Sequence, residues 1–274
     1  MSSQDQIHTF AADALNTSVR ICIDLPSQRH ALHAANEAFL ELERLEKLLS
    51  RFEDGSDIWQ LNQAPIDTPV LLAPETWECL RIACQISELT NGAFDITYGY
   101  LYDLWKSTTP TNSDRTQSSI NCGMNHLFVD PENAVATRLA ENISIDLGGI
   151  GKGYISDKMA DILEEWEINS AMINCGGSTI LALDPPQCKT GWSITCDGRE
   201  FNIRQGAVSA SGLPQQPNHI VDHHTLKPPH ADTRTWTMAP TAAIADALST
   251  AAMLMPDSEI KKLQQKCPEI KIYH

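Results

Sequence analysis

The sequence predicts a mixed α+β fold rather than a doubly wound parallel sheet, and three observations support this prediction. Four segments carry a helical apolar period or helix-end residues, and eight short apolar runs are typical of strands. These elements alternate without the regular spacing of βαβ units. The 274 residues, of which 42% are hydrophobic, suffice for a large core, in one domain or in two closely joined lobes.

Four helices are predicted, in chain order. Residues 28–49 form a long amphipathic helix near the N-terminus, because apolar side chains recur at steps of three and four. A second helix begins at Pro74 and ends at Asn91-Gly92, since Pro suits a helix start and Gly a helix end. A third runs from about Lys152 to Trp166, and the fourth begins near Pro240 and carries TAAIADALSTAAMLM.

Each predicted strand is a short apolar run with turn residues on both sides. They cover residues 19–25, 70–72, 143–147, 171–174, 192–196, 200–203, 207–209 and 219–221. Residues 106–123 are rich in Ser, Thr and Asn and have no apolar period, which predicts a surface excursion.

Charge and cysteine usage limit the partners and the compartment. The formal net charge of −15 argues against nucleic acid, since polyanion-binding surfaces need Lys and Arg. An acidic chain that binds a phosphorylated ligand would rely on backbone donors and a divalent metal. The eight cysteines include no C-x-x-C pair, which favours free thiols in a reducing compartment.

The N-terminal stretch MSSQDQIHTFAADALN has no basic start followed by an apolar run of signal-peptide length. Nothing downstream reaches the roughly 18 consecutive apolar residues of a membrane span. The sequence as written therefore predicts a cytoplasmic protein without stable membrane insertion. A periplasmic or lipid-anchored location stays open if a signal was removed.

A glycine-rich turn with one lysine lies in SIDLGGIGKGYISDKMADILEEW, residues 144–166. The nucleoside-triphosphate loop needs Ser or Thr after the lysine, but Gly153 follows Lys152. The dinucleotide fingerprint needs a different glycine spacing after the first strand of a βαβ unit. Two interpretations remain open for this segment: binding of an anion at the helix start, or a tight connection to the helix.

Asp246 and Thr250 are four residues apart on the fourth predicted helix, so their side chains leave the same face. A carboxylate and a hydroxyl are hard oxygen donors that suit magnesium. In the alternative interpretation, Thr250 bonds back to its own helix and Asp246 is an ordinary polar residue. The run NHIVDHHTLKPP, which begins at Asn218, groups His219 with two further histidines, in keeping with metal binding, proton transfer or a polar turn.

Seven pieces follow one another over most of residues 48–255: LSRFEDGSDIWQLN, NGAFDITYGYLYDLW, IDLGGIGKGYISDKMADIL, NCGG, AVSASG, HIVDHHT and ADALSTA. In this order they resemble the FAD:protein FMN transferase family, the ApbE-like flavin transferases. The resemblance implies a single α+β domain over residues 1–274 with a T-fold-related core. It also implies a magnesium-dependent reaction that splits FAD, transfers FMN to a Thr or Ser hydroxyl of an acceptor protein and releases AMP.

The resemblance also implies roles for particular residues. Lys152 and the glycine turn would lie against the FAD pyrophosphate, and His219 would assist deprotonation of the acceptor hydroxyl. The magnesium ligands would be Asp246, Thr250 and a backbone carbonyl at Gly151. The flavin nucleotide would contact Phe52, Asp95, Gly148, Gly149, Lys152, Gly176, Gly177, Ser211, Gly212 and His219, while Asp146 and Asn174 match motif positions around the cleft.

Three positions depart from the family pattern. Ala210 stands where a Thr is expected, Gly151 replaces an Ala, and Asp222-His223-His224-Thr225-Leu226 replaces Asp-Pro-x-Thr-Gly. Two alternatives to flavin transfer therefore stay open. One is an FAD pyrophosphatase that yields FMN and AMP, and the other is a non-catalytic FAD-binding protein.

Overall fold

The computed structural model describes residues 6–107, 111, 113, 122–141, 143–196, 198–212 and 234–274, with the backbone alone for residues 104–107. Helices and strands are mixed along these ranges, which confirms the α+β prediction. The predicted strand at 219–221 and most of the predicted surface excursion at 106–123 lie outside the described residues.

The largest sheet has seven described strands in the order β1-β2-β6-β7-β10-β11-β12, and all of its recorded pairings are antiparallel. β3, β5 and β4 form a second sheet in that order, and β8 and β9 pair as a hairpin. The strands are β1 (Ile7–Ala14), β2 (Thr17–Asp24), β3 (Val70–Leu71), β4 (Leu127–Val129), β5 (Val135–Arg138), β6 (Ala171–Cys175), β7 (Thr179–Ala182), β8 (Trp192–Cys196), β9 (Arg199–Ile203), β10 (Gly206–Ser211), β11 (Thr235–Ala239) and β12 (Lys271–Tyr273).

Helices occupy the intervals between these strands, with a 3₁₀ turn at Met124–His126. They are α1 (Gln28–Leu49), α2 (Asp57–Gln63), α3 (Pro74–Leu89), α4 (Gly99–Ser107), α5 (Gly151–Glu165), α6 (Ala242–Ala252) and α7 (Asp257–Lys266). All four predicted helices are present, as α1, α3, α5 and α6. The structure corrects the description of α1 as N-terminal, because the β1–β2 hairpin precedes it.

The large sheet separates two apolar layers. Ile173, Leu181 and Ala207 join the main core with the helices, whereas Ile180 and Val208 pack in a second cluster under the β8–β9 hairpin. This division follows from the pleat, since successive side chains along a strand point to opposite faces. The helices therefore lie on one face of the sheet and the hairpin on the other.

Residues 143–147 were predicted to form a strand, and this prediction is wrong. The segment makes only an isolated bridge, between Ser144 and Tyr98. Its backbone hydrogen bonds go to irregular partners instead: Asp146 N–H donates to the carbonyl of Ile96, and the Asn62 side chain bonds both backbone groups of Ile145. An asparagine side chain can replace a neighbouring strand in this way, because its amide carries both a donor and an acceptor.

Two further sequence predictions concern cysteines and membrane spans. All eight cysteines lie in described ranges and carry free thiols. Within the described ranges, no helix is both long and apolar enough to cross a membrane.

Candidate active site

A cavity of about 520 Å³ opens beside the glycine turn, where α5 and α6 meet the end of β10. A volume of this order suits a small-molecule ligand. It gathers most of the residues that the sequence singled out: Phe52, Asp95, Gly148, Gly149, Gly151, Lys152, Gly176, Ser211, Gly212, Asp246 and Thr250. Gly177 does not line it. His219 and the departure at residues 222–226 lie outside the described residues.

Asp246 is a buried carboxylate on α6, with 3% of its surface exposed. Its Oδ2 accepts a hydrogen bond from the Gly153 N–H at 3.1 Å. Its Oδ1 accepts from the hydroxyls of Ser209 at 3.0 Å and Thr179 at 3.3 Å. All three recorded donors are neutral. A buried carboxylate is stabilised best by an opposite charge, so this arrangement suits a cation held from the cavity side.

Thr250 lies one turn further along α6, as its spacing predicts. Its hydroxyl donates to the backbone carbonyl of Asp246 at 3.3 Å, as the alternative interpretation expected, and lies 3.2 Å from the Ser211 hydroxyl. The hydroxyl oxygen keeps a lone pair for a metal after this donation. The back-bond and a metal role are therefore compatible.

In the ranges that the structure describes, no three His, Cys, Asp or Glu side chains come together as a metal cluster. A metal at Asp246 would consequently take most of its ligands from hydroxyl, carbonyl, water and phosphate oxygens. This donor set suits magnesium, which keeps several waters and binds through one or two carboxylates plus substrate phosphates. The residues present thus fit magnesium and do not fit a structural zinc site.

The glycine turn presents the start of α5 to the cavity. Asp146 Oδ1 accepts from the Gly148 N–H at 2.7 Å, and Gly151 begins the helix, which has no side-chain cap at its first turn. Gly151 and Lys152 both line the cavity. An uncapped helix start beside a lysine favours an anion, because the helix dipole and the ammonium group add. The turn is thus both a tight connection and a candidate anion site.

Gly149 and Gly151 differ in what surrounds them. A Cβ atom on Gly149 would lie 3.4 Å from Thr250 Oγ1 and 3.3 Å from the Phe94 ring. A Cβ atom on Gly151 would approach nothing closer than the Leu147 Cβ, at 3.9 Å. Gly149 therefore lies against Thr250, and the backbone carbonyl of Gly151 stays the predicted metal ligand of the turn.

Gly176 and Gly177 form the turn between β6 and β7, with φ angles of +66° and +73°. The Asn174 side chain accepts from the Gly177 N–H at 2.8 Å. A Cβ atom on Gly176 would overlap the Thr17 side chain. Left-handed dihedrals favour glycine at both positions and the close approach of Thr17 requires it at Gly176, which lines the cavity through its backbone.

Phe52 and Asp95 belong to the same cavity in different ways. The Phe52 side chain is 71% exposed, so its ring is available to a ligand. The Asp95 carboxylate accepts from the backbone N–H groups of Thr97 and Met124 and from the Thr97 hydroxyl. Burial raises the pKa of Asp95, against the opposing effect of these hydrogen bonds. Asp95 therefore shapes the cavity wall with its carboxylate already engaged.

Sequence reasoning missed the hydroxyls beneath Asp246. Thr179 and Ser209 lie on neighbouring strands and point to the helix face of the sheet. The signal was present in AVSASG, since alternation places Ser209 and Ser211 on one face. Ala210, the departure from the expected Thr, packs in the apolar layer under the hairpin and also lines the cavity.

The residues around the cavity suit a phosphorylated ligand and a divalent cation, and comparisons with known proteins identify the family. The ApbE family model matches residues 15–274. The FAD:protein FMN transferase of Klebsiella pneumoniae is 24% identical over 256 residues, covering 84% of this chain and 72% of the relative. That of Chlamydia pneumoniae is 26% identical over 240 residues, covering 81% and 76%.

Solved structures agree with this match. The ApbE protein of Thermotoga maritima superposes with a TM-score of 0.86 at 26% identity, covering 97% of this chain and 93% of that one. The flavin transferase ApbE of Vibrio cholerae gives a TM-score of 0.84 at 21% identity, with 97% and 93% covered, which supports the fold. The chain belongs to the ApbE family, as the sequence resemblance predicted.

Proposed function

We propose that this protein transfers FMN from FAD to a Thr or Ser hydroxyl of an acceptor protein, with magnesium as the required ion. The observation that carries the proposal is the buried Asp246 carboxylate, which has neutral donors and faces a cavity that also holds Lys152 and the start of α5. Family membership supports it, since several relatives are named FAD:protein FMN transferases.

The reaction balances without an oxidant or reductant. The acceptor hydroxyl oxygen attacks the phosphorus on the FMN side of the pyrophosphate. The bond from that phosphorus to the bridging oxygen breaks, and AMP leaves with the bridging oxygen. The hydroxyl proton passes to a base, for which His219 is the sequence candidate. Phosphoryl transfer of this kind depends on positioning and charge neutralisation more than on covalent help from the enzyme.

Asp246 and Thr250 would hold the magnesium ion, with a backbone carbonyl of the glycine turn beside them. When bound, magnesium would neutralise charge on the pyrophosphate and on the departing AMP. Lys152 and the start of α5 would bind the pyrophosphate and keep it against this pair. The exposed Phe52 ring offers a face on which the flavin can stack.

A single isosteric variant tests the metal assignment. Asp246→Asn should lower magnesium-dependent AMP release from FAD by at least about 100-fold, because even partners one bond removed from a metal typically cost about 10–100-fold. The fold should survive, since the neighbouring hydroxyls can reorient toward an amide. Product chromatography measures release, and circular dichroism checks the fold.

Asp161→Asn is the matched control, since this carboxylate is exposed on α5 and pairs with Lys158. It should leave AMP release within about twofold of the wild type. Unchanged release by the folded Asp246→Asn protein would remove Asp246 from the metal role. Release of FMN and AMP without flavin on the acceptor would favour the pyrophosphatase.

A further inference from the structure

Arg51 lies two residues after the end of α1 and is nearly buried, with 8% of its side chain exposed. Its two terminal nitrogens donate to Asp103 of α4, Nη1 to Oδ2 at 2.8 Å and Nη2 to Oδ1 at 2.6 Å. A forked pair of this kind fixes both the position and the plane of a guanidinium, which a lysine cannot reproduce.

The same guanidinium contacts the glycine turn on its other edge. Nε of Arg51 lies 2.6 Å from Oδ2 of Asp146 in an ion pair. The other oxygen of Asp146 accepts the Gly148 N–H at 2.7 Å. Arg51 therefore holds, through one carboxylate, the turn that leads to Gly149 and Lys152.

The face of the guanidinium makes a third contact. Its central carbon lies 4.3 Å from the centroid of the Phe52 ring, within the range of a cation–π interaction. The Phe52 side chain is otherwise exposed, so this contact helps to fix the orientation of its ring.

Arg51 also balances local charge. Burial acts to lower the pKa of Arg51, but its hydrogen bonds to Asp103 and the charges of both aspartates raise it above its ordinary value. The guanidinium is thus a permanent cation between two carboxylates, in a chain of net charge −15. Without it, these carboxylates would repel a phosphate ligand in the cavity.

We propose that Arg51 is a positioning residue for the flavin site. It fixes the Phe52 ring and the glycine turn in one frame, through its contacts with Asp103 and Asp146, without taking part in bond making. This inference rests on the proposed function, because it takes the flavin of FAD as the ligand on Phe52.

The test measures binding of FAD without acceptor and without magnesium, so that no turnover is needed. Arg51→Lys keeps the charge and loses the fork and the planar contact. It should weaken FAD binding about tenfold, measured by flavin anisotropy, since one charge-assisted hydrogen bond accounts for a loss of that size. The flavin absorbance difference spectrum at saturation should also shrink, because the ring beneath the flavin is no longer held.

Arg44→Lys is the matched control. Arg44 lies on α1 and makes a forked pair with Glu41 and a further ion pair with Glu75, and none of these residues lines the cavity. Its FAD affinity and difference spectrum should equal those of the wild type. Equal weakening in both arginine variants would overturn the proposal, since it would show a general effect on stability.

A double variant separates positioning from a purely structural role. If Arg51 acts through Phe52, the tenfold effect of Arg51→Lys should shrink to less than threefold in a Phe52→Ala background. An undiminished effect there, or wild-type binding by Arg51→Lys alone, would overturn the inference and leave the proposed function standing. Absence of FAD binding by the wild-type protein would overturn both.

Discussion

In the proposed function, the chemistry of the cavity depends most on Asp246. Its carboxylate is buried against the hydroxyls of Thr179 and Ser209, and its one recorded backbone partner is Gly153 of α5. Neutral donors reduce the cost of burying a charge without cancelling it. The remaining negative charge faces the cavity, where it can hold a cation that in turn attracts a phosphate.

Gly153 allows α5 to approach α6 closely enough for this contact. A Cβ atom there would overlap the backbone of Ala242, the first residue of α6. We expect Gly153→Ala to lower the free energy of unfolding by at least about 2 kcal/mol, because backbone cannot move aside as a side chain can. Urea titration provides the measurement.

Gly151→Ala is the contrasting variant on the same helix. The new Cβ would meet only the Leu147 side chain, at 3.9 Å. Its free energy of unfolding should stay within about 0.5 kcal/mol of the wild type. Equal stability of the two alanine variants would show that the approach of α5 to α6 is not as close as described.

The sequence predicted the candidate metal ligands Asp246 and Thr250 but missed the hydroxyl groups that lie beneath Asp246. The i, i+4 spacing of Asp246 and Thr250 is local, so it could be read directly from the helix. Ser209 and Thr179 lie 37 and 67 residues away from Asp246 along the chain. Only the pairing of β7 with β10 brings them together beneath α6, and no local pattern specifies that pairing.

The helices and strands also divide into those that local sequence signals predict and those that depend on distant partners. The helices α1, α3, α5 and α6 were predicted because their apolar period and end signals lie within each helix. Residues 143–147 were wrongly predicted as a strand, because an extended apolar run looks the same whether its partner is a strand or the Asn62 side chain. β1 was missed as well, since its composition, IHTFAADA, carries little strand signal.

Asp157 links two elements and introduces a dependence on pH. Its carboxylate accepts from the N–H groups of Ala242 and Ala243, at 2.7 and 2.9 Å, and so caps α6 from α5. Burial raises the pKa of Asp157 from 3.8 to about 6, against the lowering effect of these two hydrogen bonds. Between pH 3.8 and about pH 6, the folded protein therefore binds more protons at Asp157 than the unfolded chain does. The stability that this group contributes is lost as the pH rises through about 6.

Comparison with Asp157→Asn measures this effect. The unfolding free energy of the wild type minus that of the variant should be smaller at about pH 7.5 than at about pH 4.5, by on the order of 1–2 kcal/mol. Urea titrations of the wild type and the variant at the two pH values give the four free energies of unfolding that the comparison requires. A difference that does not change with pH, or that grows toward the higher pH, would contradict a raised pKa.

At the scale of the whole molecule, the helix-covered face of the sheet carries the site and the hairpin-covered face completes the second apolar layer. The order of seven motifs predicted the ApbE family and most of the cavity lining, because the six motifs that the structure describes all contribute residues to that lining. The strand order itself, with β6 beside β2 and β10 beside β7, depends on long-range pairing and could not be read from composition or periodicity.

The net negative charge of the chain affects ligand binding by the molecule as a whole. With a net charge of −15, the protein as a whole repels polyanions, so a phosphorylated ligand must be attracted locally. In the proposed function, Lys152, the start of α5 and a metal at Asp246 and Thr250 would supply that attraction within one cavity. FAD should therefore bind measurably without the divalent ion and more tightly with it.

The central claim is tested most directly by incubating the purified protein with FAD, with magnesium or with a chelator, and with and without a Thr- or Ser-containing acceptor protein. Chromatography then quantifies FAD, FMN and AMP, and fluorescence detects flavin on the acceptor. We predict magnesium-dependent release of AMP, matched mole for mole by flavin on the acceptor. FAD that stays bound and intact, with magnesium and the acceptor both present, would contradict the proposed function and point to a flavin-binding protein.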